Sequence, residues 1–129
     1  MENLFIEGNI KNPTLNFNYE SGTLEIKGRS WPEHALQVFE PAFKWLENYA
    51  KSPKPNTTVK VMLEYFNTSS SKVVLDLMKK IDGLKGAGTD VKIEWYYESD
   101  DPDLKEQGLL MKDLLKTPVS LVEVVELPL

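Results

Sequence analysis

At 129 residues, with 41% hydrophobic and 27% charged side chains, the chain has the make-up of one globular domain. A domain of this size buries roughly two-thirds of its unfolded surface, so it needs no staples, and the absence of cysteine rules out a disulfide framework or a thiolate zinc site. The net charge of −5, with 15 basic residues dispersed among 20 acidic ones, argues against nucleic acid or an anionic membrane surface as a partner, since both are held through clustered Lys and Arg.

Met1–Glu7 opens with acids rather than a basic leader, so no secretory signal is expected. No apolar run approaches the roughly 20 residues of a membrane span. The cytoplasm is the expected compartment. Even charge dispersal without a heptad run makes a monomer the expected state.

Leu4-Phe5-Ile6 is a short strand, closed by Gly8 and the Asn12-Pro13 break. Leu15, Phe17 and Tyr19 alternate with Asn16 and Asn18. After the Ser21-Gly22 turn, Leu24, Ile26 and Gly28 alternate with Glu25 and Lys27, which predicts a hairpin over residues 14–28. Ser30-Trp31-Pro32-Glu33 reads as a helix start, because proline is tolerated in a first turn. Leu36, Phe39, Phe43, Leu46 and Ala50 carry that helix to about Lys51, with a kink or break expected at Pro41.

Thr58 to Phe66 predicts a central strand with Val59, Val61, Leu63 and Tyr65 on one face and Met62 on the other. A second helix follows, with Val73, Val74, Leu77, Met78, Ile81 and Leu84 at amphipathic spacing and Gly83, Gly86 and Gly88 at its end. Val91, Ile93 and Trp95 share one face of the next strand. Asp100-Asp101-Pro102-Asp103 caps a third helix carrying Leu104, Met111, Leu114 and Leu115. Pro118 stops it, and Leu121 to Leu127 forms the last strand. Strands that alternate with helices imply right-handed parallel crossovers. The expected fold is therefore a small α/β domain, residues 1–129. Its mixed, mostly parallel sheet has an antiparallel hairpin near the N-terminus and three main helices.

The most informative segment is Asn67-Thr68-Ser69-Ser70-Ser71-Lys72, where a strand hands over to a helix. The first amides of a helix lack internal partners, and the dipole adds partial positive charge there. Ser, Thr and Asn at such a place are ordinarily caps. Four consecutive hydroxyls exceed what one cap needs, and a phosphoryl group on one of them would sit where an anion is stabilised, with Lys72 as a local counter-charge.

A second cluster, Glu98-Ser99-Asp100-Asp101-Pro102-Asp103 with Glu106, has oxygen ligands suited to Mg²⁺ or Ca²⁺ but not the spacing of an EF-hand loop. Its ordinary reading is a helix cap with favourable dipole charges; its functional reading is a docking surface. The only histidine, His34, has no neighbouring nucleophile motif, and no glycine-rich phosphate loop occurs. No catalytic residue, resident metal or cofactor is assigned.

The segment Leu63-Glu64-Tyr65-Phe66-Asn67-Thr68-Ser69-Ser70 resembles the SiaC family of bacterial regulatory phosphoproteins. So do Trp95-Tyr96-Tyr97-Glu98, the acidic turn Asp100-Asp101-Pro102-Asp103, Glu106-x-Gly108 and the hairpin leading into Gly28-Arg29-Ser30. The resemblance covers essentially the whole chain. It implies a fold similar to STAS domains and a partner-switching role rather than an enzyme. In such proteins a dedicated serine/threonine kinase phosphorylates one threonine at a helix start, and a metal-dependent phosphatase reverses it. The unmodified form binds and activates a diguanylate cyclase, raising cyclic di-GMP and favouring biofilm growth. The phosphothreonine of the family falls on Thr68, with Asn67, Ser69, Ser70, Ser71 and Lys72 as neighbouring contact residues. Two alternatives remain beside it: a metal-assisted hydrolase built on Asp100, Asp101, Asp103 and Glu106, and a small-ligand carrier with an apolar pocket between sheet and helices.

Overall fold

The computed structural model describes residues Met1–Leu129. Strand β1 (Leu4–Ile6), β2 (Thr14–Asn18) and β3 (Thr23–Ser30) precede helix α1 (Ala35–Tyr49). Then come β4 (Asn56–Phe66), α2 (Thr68–Asp82), a short 3₁₀ turn (Gly83–Ala87), β5 (Asp90–Glu98), α3 (Pro102–Leu114) and β6 (Val119–Val124). The six strands lie side by side in the order in which they are made, β1-β2-β3-β4-β5-β6. The first two pairings are antiparallel and the remaining three parallel. Each parallel step moves one strand further in the same direction, so right-handed crossovers put all three helices on one face of the sheet.

That face carries the core. Leu15, Phe17, Leu24, Ile26, Val59, Val61, Leu63, Ile93 and Trp95 point into a 27-residue apolar cluster with the buried sides of the helices. Each such side chain contributes roughly 1.5–3 kcal/mol on burial. The alternate positions, including Glu25, Lys27, Lys60, Glu94 and Tyr96, line the helix-free face and are only half-buried. Met62 is buried on that second face, outside the main cluster. There, burial and the neighbouring Glu94 carboxylate push the Tyr96 phenol above its ordinary pKa.

The expected architecture is the one observed; several local features differ. Ser30 ends β3 instead of opening a helix, and α1 begins only at Ala35. The helix runs unbroken through Pro41, whose missing N–H frees only the carbonyl of exposed Gln37. Its buried face is Ala35, Phe39, Ala42, Trp45, Leu46 and Tyr49, leaving Leu36 66% exposed. The buried stripe is rotated by about one position from the expected one. Leu114 is likewise exposed while Leu115 is buried. The last strand starts at Val119 and ends at Val124, because its register against Ile93–Glu98 runs out there.

Two tertiary ties hold the C-terminal half. The Asp82 carboxylate, at the end of α2, accepts bonds from the Lys116 amide (3.1 Å) and the Thr117 amide (2.8 Å), and from the Thr117 hydroxyl. Partial burial alone would push this carboxyl up, but the three donors outweigh it and hold it below the usual aspartate value. Gly108 packs against the indole of Trp95, which is fully buried and donates from Nε1 to the Leu104 carbonyl at 3.0 Å.

Both ties make predictions. A Cβ at position 108 would stand 2.6 Å from Trp95 Cδ1, so Gly108→Ala should lose about 1–3 kcal/mol to overpacking, more than the roughly 1 kcal/mol gained in helix propensity; urea unfolding measures the balance. Asp82 binds its proton more weakly folded than unfolded, so its contribution is complete above the unfolded value of about 4 and is lost as pH falls through the lower folded value. Asp82→Asn should therefore cost about 2 kcal/mol at neutral pH and flatten the acid limb of the stability curve; an unchanged acid limb would show that the carboxylate does not contribute.

Candidate functional site

The C-terminal ends of the parallel strands β3, β4 and β5 form one rim of the sheet, and the hydroxyl run lies on it. A register shift shapes this rim. Gly28 pairs with Leu63 but Arg29 pairs with Tyr65, so Glu64 is the extra residue of a β-bulge. Gly28 sits at φ +110°, a conformation that disfavours any residue with a Cβ. Past the bulge the alternation reverses. Phe66 turns inward, edge-on to Trp95 at 6.3 Å, and Tyr65, expected in the core with Val59, Val61 and Leu63, is 53% exposed.

Glu64 is held by Arg29, with Nε–Oε2 3.1 Å and Nη2–Oε1 3.3 Å. The hydrogen bond first, and the charge second, push the guanidinium further up. Beside the pair stand Tyr65 and Trp31, and the four residues line an open cleft of about 500 Å³. Trp31 is fixed from below: its amide donates to the Lys11 carbonyl (2.9 Å) and its Nε1 to the Ile10 carbonyl (2.8 Å).

Asn67 is the N-cap of α2, in an extended conformation at ψ 177°. Its Oδ1 accepts from the Ser70 amide at 3.0 Å and from the Ser69 hydroxyl at 3.3 Å. Its own amide donates to the Ser30 carbonyl at 3.0 Å, and its Nδ2 reaches the Pro32 carbonyl at 3.5 Å. Beneath it Ser30 Oγ donates to Ser70 Oγ at 2.8 Å, with both residues fully buried. Thr68 occupies the first helical position and is exposed; the side-chain bonds that hold its neighbours leave its hydroxyl free. Lys72, exposed one turn on, shares its face.

The four hydroxyls are thus not equivalent. Ser70 is fully buried, and Ser71 is half-buried inside the helix. Ser69 lies at the mouth of a cleft of about 510 Å³ between α1 and α2, beside His34, Leu36 and Glu40.

In the acidic turn, Asp101 caps α3 by accepting from the Leu104 amide at 3.1 Å, with Pro102 in the first turn and Asp103 beside it. Asp100, Asp103 and Glu106 are exposed. Nowhere do three acidic or histidine side chains converge closely enough to share a cation, so the turn is not the ligand set that a metal-assisted hydrolase would need. The volume between sheet and helices is filled by the apolar cluster, and the large clefts described above open on the surface, which leaves little for a small-ligand carrier. Trp31, Arg29, Tyr65 and Ser30 enter the sequence analysis as helix-start, strand or family-motif residues and not as site residues. The one local sign was Gly28, a glycine in a strand, which often marks a bulge.

The chain is thus a one-sided α/β domain with a free threonine hydroxyl on the rim of its sheet. The SiaC family regulatory phosphoprotein model matches residues 6–124. The chain belongs to this family. An uncharacterized protein of Pseudomonas aeruginosa (strain UCBPP-PA14) is 26% identical over 98 residues, 76% of this chain and 78% of that protein. Apo-SiaC of Pseudomonas aeruginosa matches with a TM-score of 0.85 at 24% identity, covering 95% of this chain and 99% of that one. SiaC of the same organism, in complex with the diguanylate cyclase SiaD that it activates, matches with a TM-score of 0.86 at 22% identity, covering 94% and 99%. The fold of this chain is that of SiaC. No helix is long and apolar enough to cross a membrane.

The assignment of the acidic turn to capping has a measurable consequence. Asp101→Ala should lower stability by about 1 kcal/mol, whereas exposed Asp100→Ala should stay within about 0.5 kcal/mol of wild type. Equal losses in thermal unfolding would contradict it.

Proposed function

We propose that residues 1–129 act as one cytoplasmic, monomeric regulatory domain whose unphosphorylated form binds and activates a diguanylate cyclase, and that phosphorylation of Thr68 switches this off. The observation that carries the reading is the state of Thr68: exposed, unbonded and first in its helix, while the exposed Ser69 hydroxyl is bonded to Asn67, Ser70 is buried and Ser71 half-buried. A serine/threonine kinase would transfer the γ-phosphoryl group of ATP to Thr68 Oγ. The new O–P bond forms as the bond to the β-phosphate oxygen breaks, ADP leaves, and the hydroxyl proton passes to the base of the kinase. A metal-dependent phosphatase would return the hydroxyl by hydrolysis, releasing inorganic phosphate. Family membership and the likeness to a SiaC bound to its cyclase support the partner class.

Magnitudes favour an effect at the interface over an effect on folding. The modification adds about 1.5 to 2 negative charges, and at an exposed helix N-terminus each charge is worth roughly 0.3–1 kcal/mol in favour of the fold. Loss of a docking hot spot costs at least about 2 kcal/mol, roughly thirtyfold in affinity. Phosphorylation should leave the domain folded and change what binds its rim. Trp31 and Tyr65, exposed aromatics on that rim, are residue types that carry such hot spots.

In the native cells, Thr68→Ala should hold cyclic di-GMP high and Thr68→Glu should hold it low, with both proteins melting close to wild type. Tyr65→Ala should lower cyclic di-GMP without altering phosphate on residue 68. Identical cyclic di-GMP in the two Thr68 variants would defeat the reading.

A further inference from the structure

We propose that Asn67 is the positioning residue that makes Thr68 the single acceptor of the hydroxyl run, with the buried Ser30–Ser70 pair as its anchor. This rests on the reading of Thr68 as the phosphorylation site and adds to it how one hydroxyl in four is selected. An enzyme that modifies a hydroxyl must surround it, which is easier where the chain is extended than within a hydrogen-bonded helix. Asn67 sets that boundary. At ψ 177° it continues the extended course of β4, and at the next residue the helix begins.

Four bonds keep the boundary from slipping. The Asn67 amide on the Ser30 carbonyl and the Asn67 Nδ2 on the Pro32 carbonyl tie it to the end of β3. The Asn67 Oδ1 on the Ser70 amide starts the helix. The 2.8 Å bond between Ser30 and Ser70, with both side chains out of water, fixes the third helical residue to the same strand end. Were the helix to start one residue later, Ser70 would leave this buried partner unsatisfied, a loss that falls on fully desolvated hydroxyls. The start is therefore fixed at Thr68. The same Oδ1 also accepts from the Ser69 hydroxyl at 3.3 Å, turning the next exposed oxygen back toward the cap.

The cap has a second-order rival: any good N-cap would start a helix here, so a merely structural Asn67 would affect stability alone. Site choice separates the two roles. The test uses the full chain expressed in its native cells, purified, and mapped for phosphate residue by residue by mass spectrometry, with thermal unfolding on every variant. Wild type should carry its phosphate on Thr68, and Thr68→Ala should lose at least tenfold in total phosphate without transfer to Ser69. Asn67→Ala should raise the share on Ser69 at least tenfold, while Asn67→Asp, which keeps the two acceptor bonds, should restore Thr68. Ser30→Ala, which leaves the cap intact but removes the anchor, should give an intermediate spread.

A folded Asn67→Ala that is still modified on Thr68 alone would overturn the proposal, as would quantitative transfer to Ser69 in Thr68→Ala. Should Asn67→Ala fail to fold, Ser30→Ala decides by the same criterion. Wild-type protein bearing no phosphate on residues 67–71 would instead defeat the underlying reading, and this inference with it.

Discussion

The hydrogen bond from the Asn67 amide to the Ser30 carbonyl is the joint on which the rim depends. It closes the β3–β4 ladder just where the ladder would otherwise open, and it does so at the residue that also caps α2. Strand end, helix start and the Trp31 loop therefore share one small set of bonds. No buried side-chain nitrogen or oxygen in the chain lacks a partner. An unpaired buried polar group costs roughly 1–3 kcal/mol, so breaking any one of these buried bonds is penalised.

The bulge at Glu64 gives that rim its character. One extra residue in β4 reverses the facing of everything after it: Phe66 is drawn against Trp95, Tyr65 is turned to solvent, and Glu64 meets Arg29. The ion pair is exposed on both sides and contributes little to stability on its own. It sets charge of both signs beside Trp31 and Tyr65 in one cleft. On the neighbouring strand end Asp101 caps its own helix, while Asp101 and Asp103 line a cleft together with Glu64 and Tyr65.

Much of this fold was legible in the residues because its elements obey simple periods. Val73, Val74, Leu77, Met78 and Ile81 are all buried as their helical spacing requires, and Val91, Ile93 and Trp95 share the inward face of β5. The errors fall where period and hydropathy are overruled. Leu36 is more apolar than Ala35, but the phase set by Phe39, Ala42, Trp45, Leu46 and Tyr49 buries Ala35 and leaves Leu36 outside, so the buried stripe of α1 is rotated by about one position. Tyr65 continues a perfect alternation and is nevertheless outside, because a bulge is a property of two paired strands and leaves little trace in either one. At the hydroxyl run the sequence exposed the location but not the hierarchy. Ser70 is set apart from Ser69 by helical phase, lying with Val73, Val74 and Leu77 on the buried face of α2, and its partner there, Ser30, stands forty residues earlier in the chain.

The sequential strand order carries a consequence for how the molecule is made. Every strand of the sheet is bonded to the strand synthesised just before it, so no segment waits for a partner yet to emerge. The closure entropy of each step is limited to one hairpin or one crossover, which keeps the separation of contacting residues low for a parallel sheet. The hairpin β2–β3 can serve as a template onto which successive strand–helix units are laid as the chain leaves the ribosome. On this route the clamp between Ser30 and Ser70 closes once β4 and the first turn of α2 are in place, before β5 and β6 are added.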